Sequence, residues 1–137
     1  MRPFAASLCL CAALLAAAGA RAESIDQVRR GFAQMVYEDA APDINREAPQ
    51  PLLRAVVVLR VRLDAQDHWH ADVMRENDVE PGLTRKAIAS VEHLPRAMEM
   101  SATMAEQLHR EGFVEVWLFQ NDGRISLKTL ALPQSRL

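Results

Sequence analysis

His68-Trp69-His70 has the clearest capacity for coordination chemistry in this chain. On an extended strand, residues 68 and 70 point to the same side, so two imidazoles would share one metal ion. Further ligands would have to come from His93, His109, Asp67 or Asp72. The same triplet also fits a turn exit with two solvated histidines around a core-facing Trp69. Asp64, Asp67 and Asp72 could do acid–base work if one were buried with a raised pKa. They also border a turn, where aspartate is at home. Arg60 and Arg62, with Arg54, form a basic line on one strand face, suited to an acidic partner, to glycan carboxylates or simply to solubility.

Other groups are less suggestive. Met98, Met100 and Met104 fit a soft contact surface, a thioether copper site or helix packing. Glu76-Asn77-Asp78 with Glu80 is an acidic run that would attract a cation or sit in a solvated loop. Ser24, Ser90, Ser101 and Ser126 lack a nucleophile-elbow context, and no glycine-rich phosphate loop is present. No cofactor is expected.

The elements that must position these residues begin after an address. Residues 1–22 hold Arg2, an apolar run over 4–18 and the ending Ala20-Arg21-Ala22, the order of a cleavable secretory signal. Cleavage near Ala22 would send the chain to a bacterial periplasm. The alternative is a retained anchor, for which the alanine-rich run is slightly short. Cleavage removes Arg2, Arg21 and both cysteines, Cys9 and Cys11, and takes the net charge from −2 to −4. A disulfide scaffold, a cysteine nucleophile and a cysteine zinc site are then excluded, and nucleic acid is an unsuitable partner. Beyond Ala22 no segment is long and apolar enough to span a bilayer.

Residues 23–52 read as a helix and a proline-containing linker. Ser24 and Gln27 have capping-box spacing, and Ile25, Val28, Phe32, Met35 and Val36 share one helical face to about Tyr37. Pro42, Pro49 and Pro51 then predict an extended segment over 38–51. The helix either docks to complete the following core or stands apart from it.

Residues 53–137 form the main unit. Over 53–63, Val57, Leu59, Val61 and Leu63 alternate with Val56, Val58, Arg60 and Arg62, which predicts a strand with one buried face. Asp64-Ala65-Gln66-Asp67 predicts a turn, and Trp69, Ala71 and Val73 the core face of a returning strand. Amphipathic stretches predict helices over 83–93 and 97–111, with Gly112 as a cap. Over 113–120 both faces are largely apolar, which predicts a central strand covered on both sides. Asn121-Asp122-Gly123 is a hairpin signal leading to a strand over 124–132. The sum is α+β: a small antiparallel sheet with helices on one face, in the order α-linker-β-β-α-α-β-β.

Residues 54–130 resemble the C-terminal periplasmic domain of TonB-family proteins and, more loosely, that of TolA. Three pieces carry the likeness: the strand Arg54 to Asp64 with its acidic turn, Asp72-Val73-Met74-Arg75 followed by Pro81-Gly82-Leu83 and a helix over 84–94, and Glu111-Gly112-Phe113 running to Asp122-Gly123. The resemblance implies a small non-enzymatic module that binds an envelope protein, which in that family adds a strand to a free sheet edge. A long strand over 124–132 would cover the edge beside it. Arg60 and Arg62 are the expected binding residues. The alternatives are a periplasmic metal-binding protein using His68 and His70, and a small hydrolase or transferase.

Overall fold

The computed structural model describes residues 24–77, 79–95 and 99–133, so the expected signal segment and Met98 lie outside the described residues. Helix α1 (Ile25–Asp39) starts where the capping spacing places it. The Ser24 hydroxyl accepts the Gln27 N–H and the Gln27 side chain accepts the Ser24 N–H, both at 3.2 Å. Its Val28, Phe32, Ala33, Val36 and Tyr37 are buried, so the helix docks. The segment after it is not simply extended. A 3-10 turn (Ala41–Asp43) follows, and Ile44 then forms a parallel bridge to Ile125.

Four strands, β1 (Ala55–Leu63), β2 (Trp69–Arg75), β3 (Phe113–Phe119) and β4 (Ile125–Leu127), form an antiparallel sheet in the order β2-β1-β3-β4. Helices α2 (Pro81–Glu92) and α3 (Ala102–Arg110) connect β2 to β3. The fold is α+β, as the order of periodic segments predicts. Ala55, Val57, Leu59, Val61 and Leu63 of β1 join the buried residues of all three helices in one core. Phe32 is its hub, meeting Trp69 at 5.1 Å, Phe113 at 5.3 Å and Trp117 at 6.4 Å, each edge to face. Such contacts add roughly 0.5–1.5 kcal/mol per pair to the burial itself. The Trp117 indole N–H donates to the Ser90 hydroxyl at 2.9 Å, so the largest core side chain is also polar-satisfied.

Four details depart from the sequence pattern. In β3, Phe113, Glu115, Trp117 and Phe119 are buried, but Val116 and Leu118 are partly exposed and Val114 is exposed. Apolar residues on both faces do not decide which face the helices take. Val73 pairs with Leu59 yet is 43 % exposed. Helix α3 starts at Ala102, because the Ser101 hydroxyl accepts the Met104 N–H at 3.1 Å and caps it there. Strand β4 ends at Leu127, where the chain turns and the N–H groups of Leu130 and Ala131 donate to the Leu127 carbonyl.

Gly112, between α3 and β3, has φ +66°, and a Cβ there would sit 2.1 Å from the Val61 carbonyl oxygen. Only glycine lets the chain pass this close to β1.

Candidate binding face and edge

The β1–β2 hairpin carries most of the candidate groups. Its turn is built by Asp64, whose carboxylate accepts the N–H of Gln66 and of His68, each at 2.9 Å. The His68 bond is the chief reason that this carboxyl is held below its ordinary value. Asp64 is therefore a turn-forming acceptor rather than a proton donor. Asp67 takes the left-handed conformation, φ +61°, which Asp tolerates better than most residues. Its carboxylate lies 2.7 Å from His109 Nε2, tying the hairpin tip to α3.

This turn separates His68 from His70. Strand β2 begins at Trp69, leaving His68 in the turn, 61 % exposed, with Asp64 at 3.9 Å. His70 sits on the strand and uses both ring nitrogens elsewhere. Nε2 lies 3.1 Å from Asp72 and Nδ1 lies 3.4 Å from Glu92 of α2. Among the described residues, no three His, Cys, Asp or Glu side chains meet in a group able to hold a metal ion. His93 is exposed at the end of α2.

The three arginines of the basic line have different fates. Arg54 is ion-paired with Glu80 at 2.7 Å. Arg62 donates to Asp72 at 2.6 Å, and this bond is the main cause of the depressed Asp72 carboxyl. Arg60 is exposed, and no ion pair holds it among the described residues. On the sheet face away from the core, Arg60 stands opposite Val114 of β3 and Asp72 of β2. Beside it run the partly exposed pairs Val58–Val116 and Val56–Leu118. This face is thus a half-apolar strip ending at Arg60, a cation with no ion pair among the described residues.

The two sheet edges differ. At β4 the chain covers its own edge. The Asn45 N–H donates to the Ile125 carbonyl at 2.8 Å, and the Leu127 N–H donates to the Tyr37 hydroxyl at 3.1 Å. The Ser126 hydroxyl donates to the Asn45 carbonyl at 3.2 Å. At β2 the seven residues Trp69–Arg75 pair with β1 alone, and their outer main-chain side forms no ladder among the described residues.

The remaining chemistry-bearing residues are structural. Ser24 and Ser101 cap helices, and the Ser90 hydroxyl donates to the Ala87 carbonyl. Met104 is buried and Met100 packs against the core. Glu115, the charged exception on the otherwise apolar faces of the strand read over 113–120, is 2 % exposed. Its carboxylate accepts the Val116 N–H at 2.9 Å, the Thr129 N–H at 3.3 Å and the Thr129 hydroxyl. Burial pushes its pKa up. The available signal was a lone carboxylate in phase with Phe113, Trp117 and Phe119.

No family model matches the chain, and neither the curated proteins nor the solved structures contain a match to it.

Proposed function

We propose that the chain is a non-enzymatic protein-binding or accessory module of the cell envelope, exported to the periplasm and carrying a TonB/TolA-like domain. The observation that supports it best is the asymmetry of the sheet edges. The β4 edge is closed by residues 44–45 and Tyr37, whereas β2 pairs with β1 alone and its outer main-chain side carries no ladder among the described residues. Unpaired strand edges attract other chains unless they are blunted, and an edge left this long suits a partner that completes it. Arg60 and the valine strip beside it supply a contact surface next to that edge. Arg62, committed to Asp72, orders the face rather than reaching out from it. Export is supported by the order of charge, apolar run and small residues over 1–22. No described helix is long and apolar enough to cross a membrane.

The test is crosslinking in cells followed by affinity purification of the tagged chain from envelope fractions. The proposal expects a defined envelope protein in a stoichiometric complex, and a mature N-terminus near residue 23 by mass spectrometry. A chain recovered from the cytosol, or a folded periplasmic monomer with no envelope partner, would overturn it.

A further inference from the structure

The β1–β2 ladder stops before β1 does. It runs from Leu63–Trp69 to Val58–Arg75, with a register shift at Val58/Leu59, while β1 continues to Ala55 against β3. The Asp64 N–H donates to the His68 carbonyl, which extends the ladder and sets its phase. Even-numbered residues of β1 therefore turn their main-chain groups toward β2. Val56 keeps that phase, but β2 has already ended at Arg75. Its N–H and C=O on that side find no main-chain partner among the described residues.

A cleft of about 340 Å³ opens at this place, lined by Leu53, Val56, Arg75, Glu76, Asn77 and Val79. Its walls are joined to each other and ordered by specific contacts. Arg54 and Glu80, adjoining the two walls in sequence, are joined at 2.7 Å and 3.0 Å. Asn77 accepts the N–H groups of Val79 and Glu80, both at 2.9 Å. Val79 is 88 % exposed, and Arg75 is exposed with no ion pair among the described residues.

We propose that this cleft is a docking slot for the free carboxyl-terminal end of a partner protein. An N–H and C=O on one strand residue with no main-chain partner among the described residues match a single residue of extended peptide. One such pair suits a chain end, because a strand passing through would need a longer open ladder and would meet the Arg54–Glu80 bridge. The terminal carboxylate has Arg75 as its cation, and an apolar last side chain has Val56, Leu53 and Val79 as its surroundings. Glu76 on the same rim disfavours an acidic residue next to the end. The inference rests on the protein-binding reading and specifies which part of the partner enters.

The test uses the full exported chain and a display library of peptides with free carboxyl ends. One selected peptide is then measured as the acid and as the carboxamide. The slot predicts selection of apolar last residues, binding of the carboxamide at least about tenfold weaker, and a similar loss with Arg75→Ala. Arg110→Ala, at the exposed end of α3, should leave peptide binding unchanged, and the Val56 amide resonance should shift on titration. Arg75 is exposed, so far-ultraviolet circular dichroism of the variant should match that of the parent. No selected peptide, or binding indifferent to the carboxylate and to Arg75, would overturn the slot. If an envelope protein is still crosslinked at position 60, the protein-binding reading stands without the slot; if neither occurs, both fail.

Discussion

Thr129 gives both its hydroxyl and its main-chain N–H to the buried carboxylate of Glu115. In a continued β3–β4 ladder Thr129 would lie opposite Glu115 as a backbone pair. The last main-chain bond between the two strands is the Lys128 N–H to the Val116 carbonyl at 3.0 Å; the Thr129 N–H then goes to the Glu115 carboxylate and the chain turns away.

The identity of the group at 115 should therefore set stability. Glu115→Gln keeps an oxygen for the two N–H donors and gives the Thr129 hydroxyl an amide partner, so it should fold with near-parental stability at pH 7. Glu115→Ala leaves the part-buried Val116 and Thr129 N–H groups without this acceptor and should cost about 1–3 kcal/mol. Urea denaturation of both variants checks this. Equal losses would contradict it.

The pH dependence has a definite sign. Burial raises the folded Glu115 pKa above its ordinary 4.5, so the folded state holds this proton more tightly. Its contribution is fully present below 4.5 and is lost as pH rises through the folded value. Asp64 and Asp72, held below 3.8, act oppositely: their contribution is present above 3.8 and is lost as pH falls through their folded values. The stability of Glu115→Gln relative to the parent should hence rise as pH goes from about 4.5 toward neutrality. A difference that stays flat across that range would refute the assignment.

The tie between α1 and the β4 edge predicts a second loss. Tyr37→Phe removes the acceptor of the Leu127 N–H and leaves that donor buried. The expected cost is about 1–3 kcal/mol by chemical denaturation, with faster exchange of the Leu127 amide. Unchanged exchange would mean that Tyr37 does not close this edge.

Two glycines with positive φ should respond differently to alanine. At Gly123, φ +86°, nothing lies within 4 Å of an added Cβ, so the conformational cost of about 1–2 kcal/mol stands alone. At Gly112 the same conformational cost is joined by a clash with the Val61 carbonyl, and the expected loss is about 4 kcal/mol or more. Similar melting temperatures for the two variants would contradict the close approach of residue 112 to β1.

Local patterns were legible because their causes are local. The Ser24–Gln27 box, the alternation from Val57 to Leu63 and the Ser101 cap need only neighbouring residues. The capping preference of Ser101 is present in the sequence, although the amphipathic stripe over 97–111 places that helix start earlier. What was not legible depends on distant partners. Just past β4, Thr129 is held by Glu115, fourteen residues away in sequence. Ile44 bridges Ile125 across a stretch that its prolines describe as extended. Val114, Val116 and Leu118 are as apolar as a buried face, yet the helices pack on the other side. For the site, Arg60 and Arg62 share a face as read, but only the pairing of Arg62 with Asp72 distinguishes them. His68 and His70 looked equivalent until Asp67 took a left-handed conformation and the strand began one residue later.

The central claim is that the open sheet face and the β2 edge receive a protein partner. The most direct measurement places a photo-crosslinking amino acid at position 60, 72 or 73 in living cells, with position 106 on the exposed face of α3 as the control. The predicted result is one envelope protein captured from 60, 72 and 73 and not from 106. Crosslinks absent from the sheet positions, or no more frequent there than at 106, would contradict the claim.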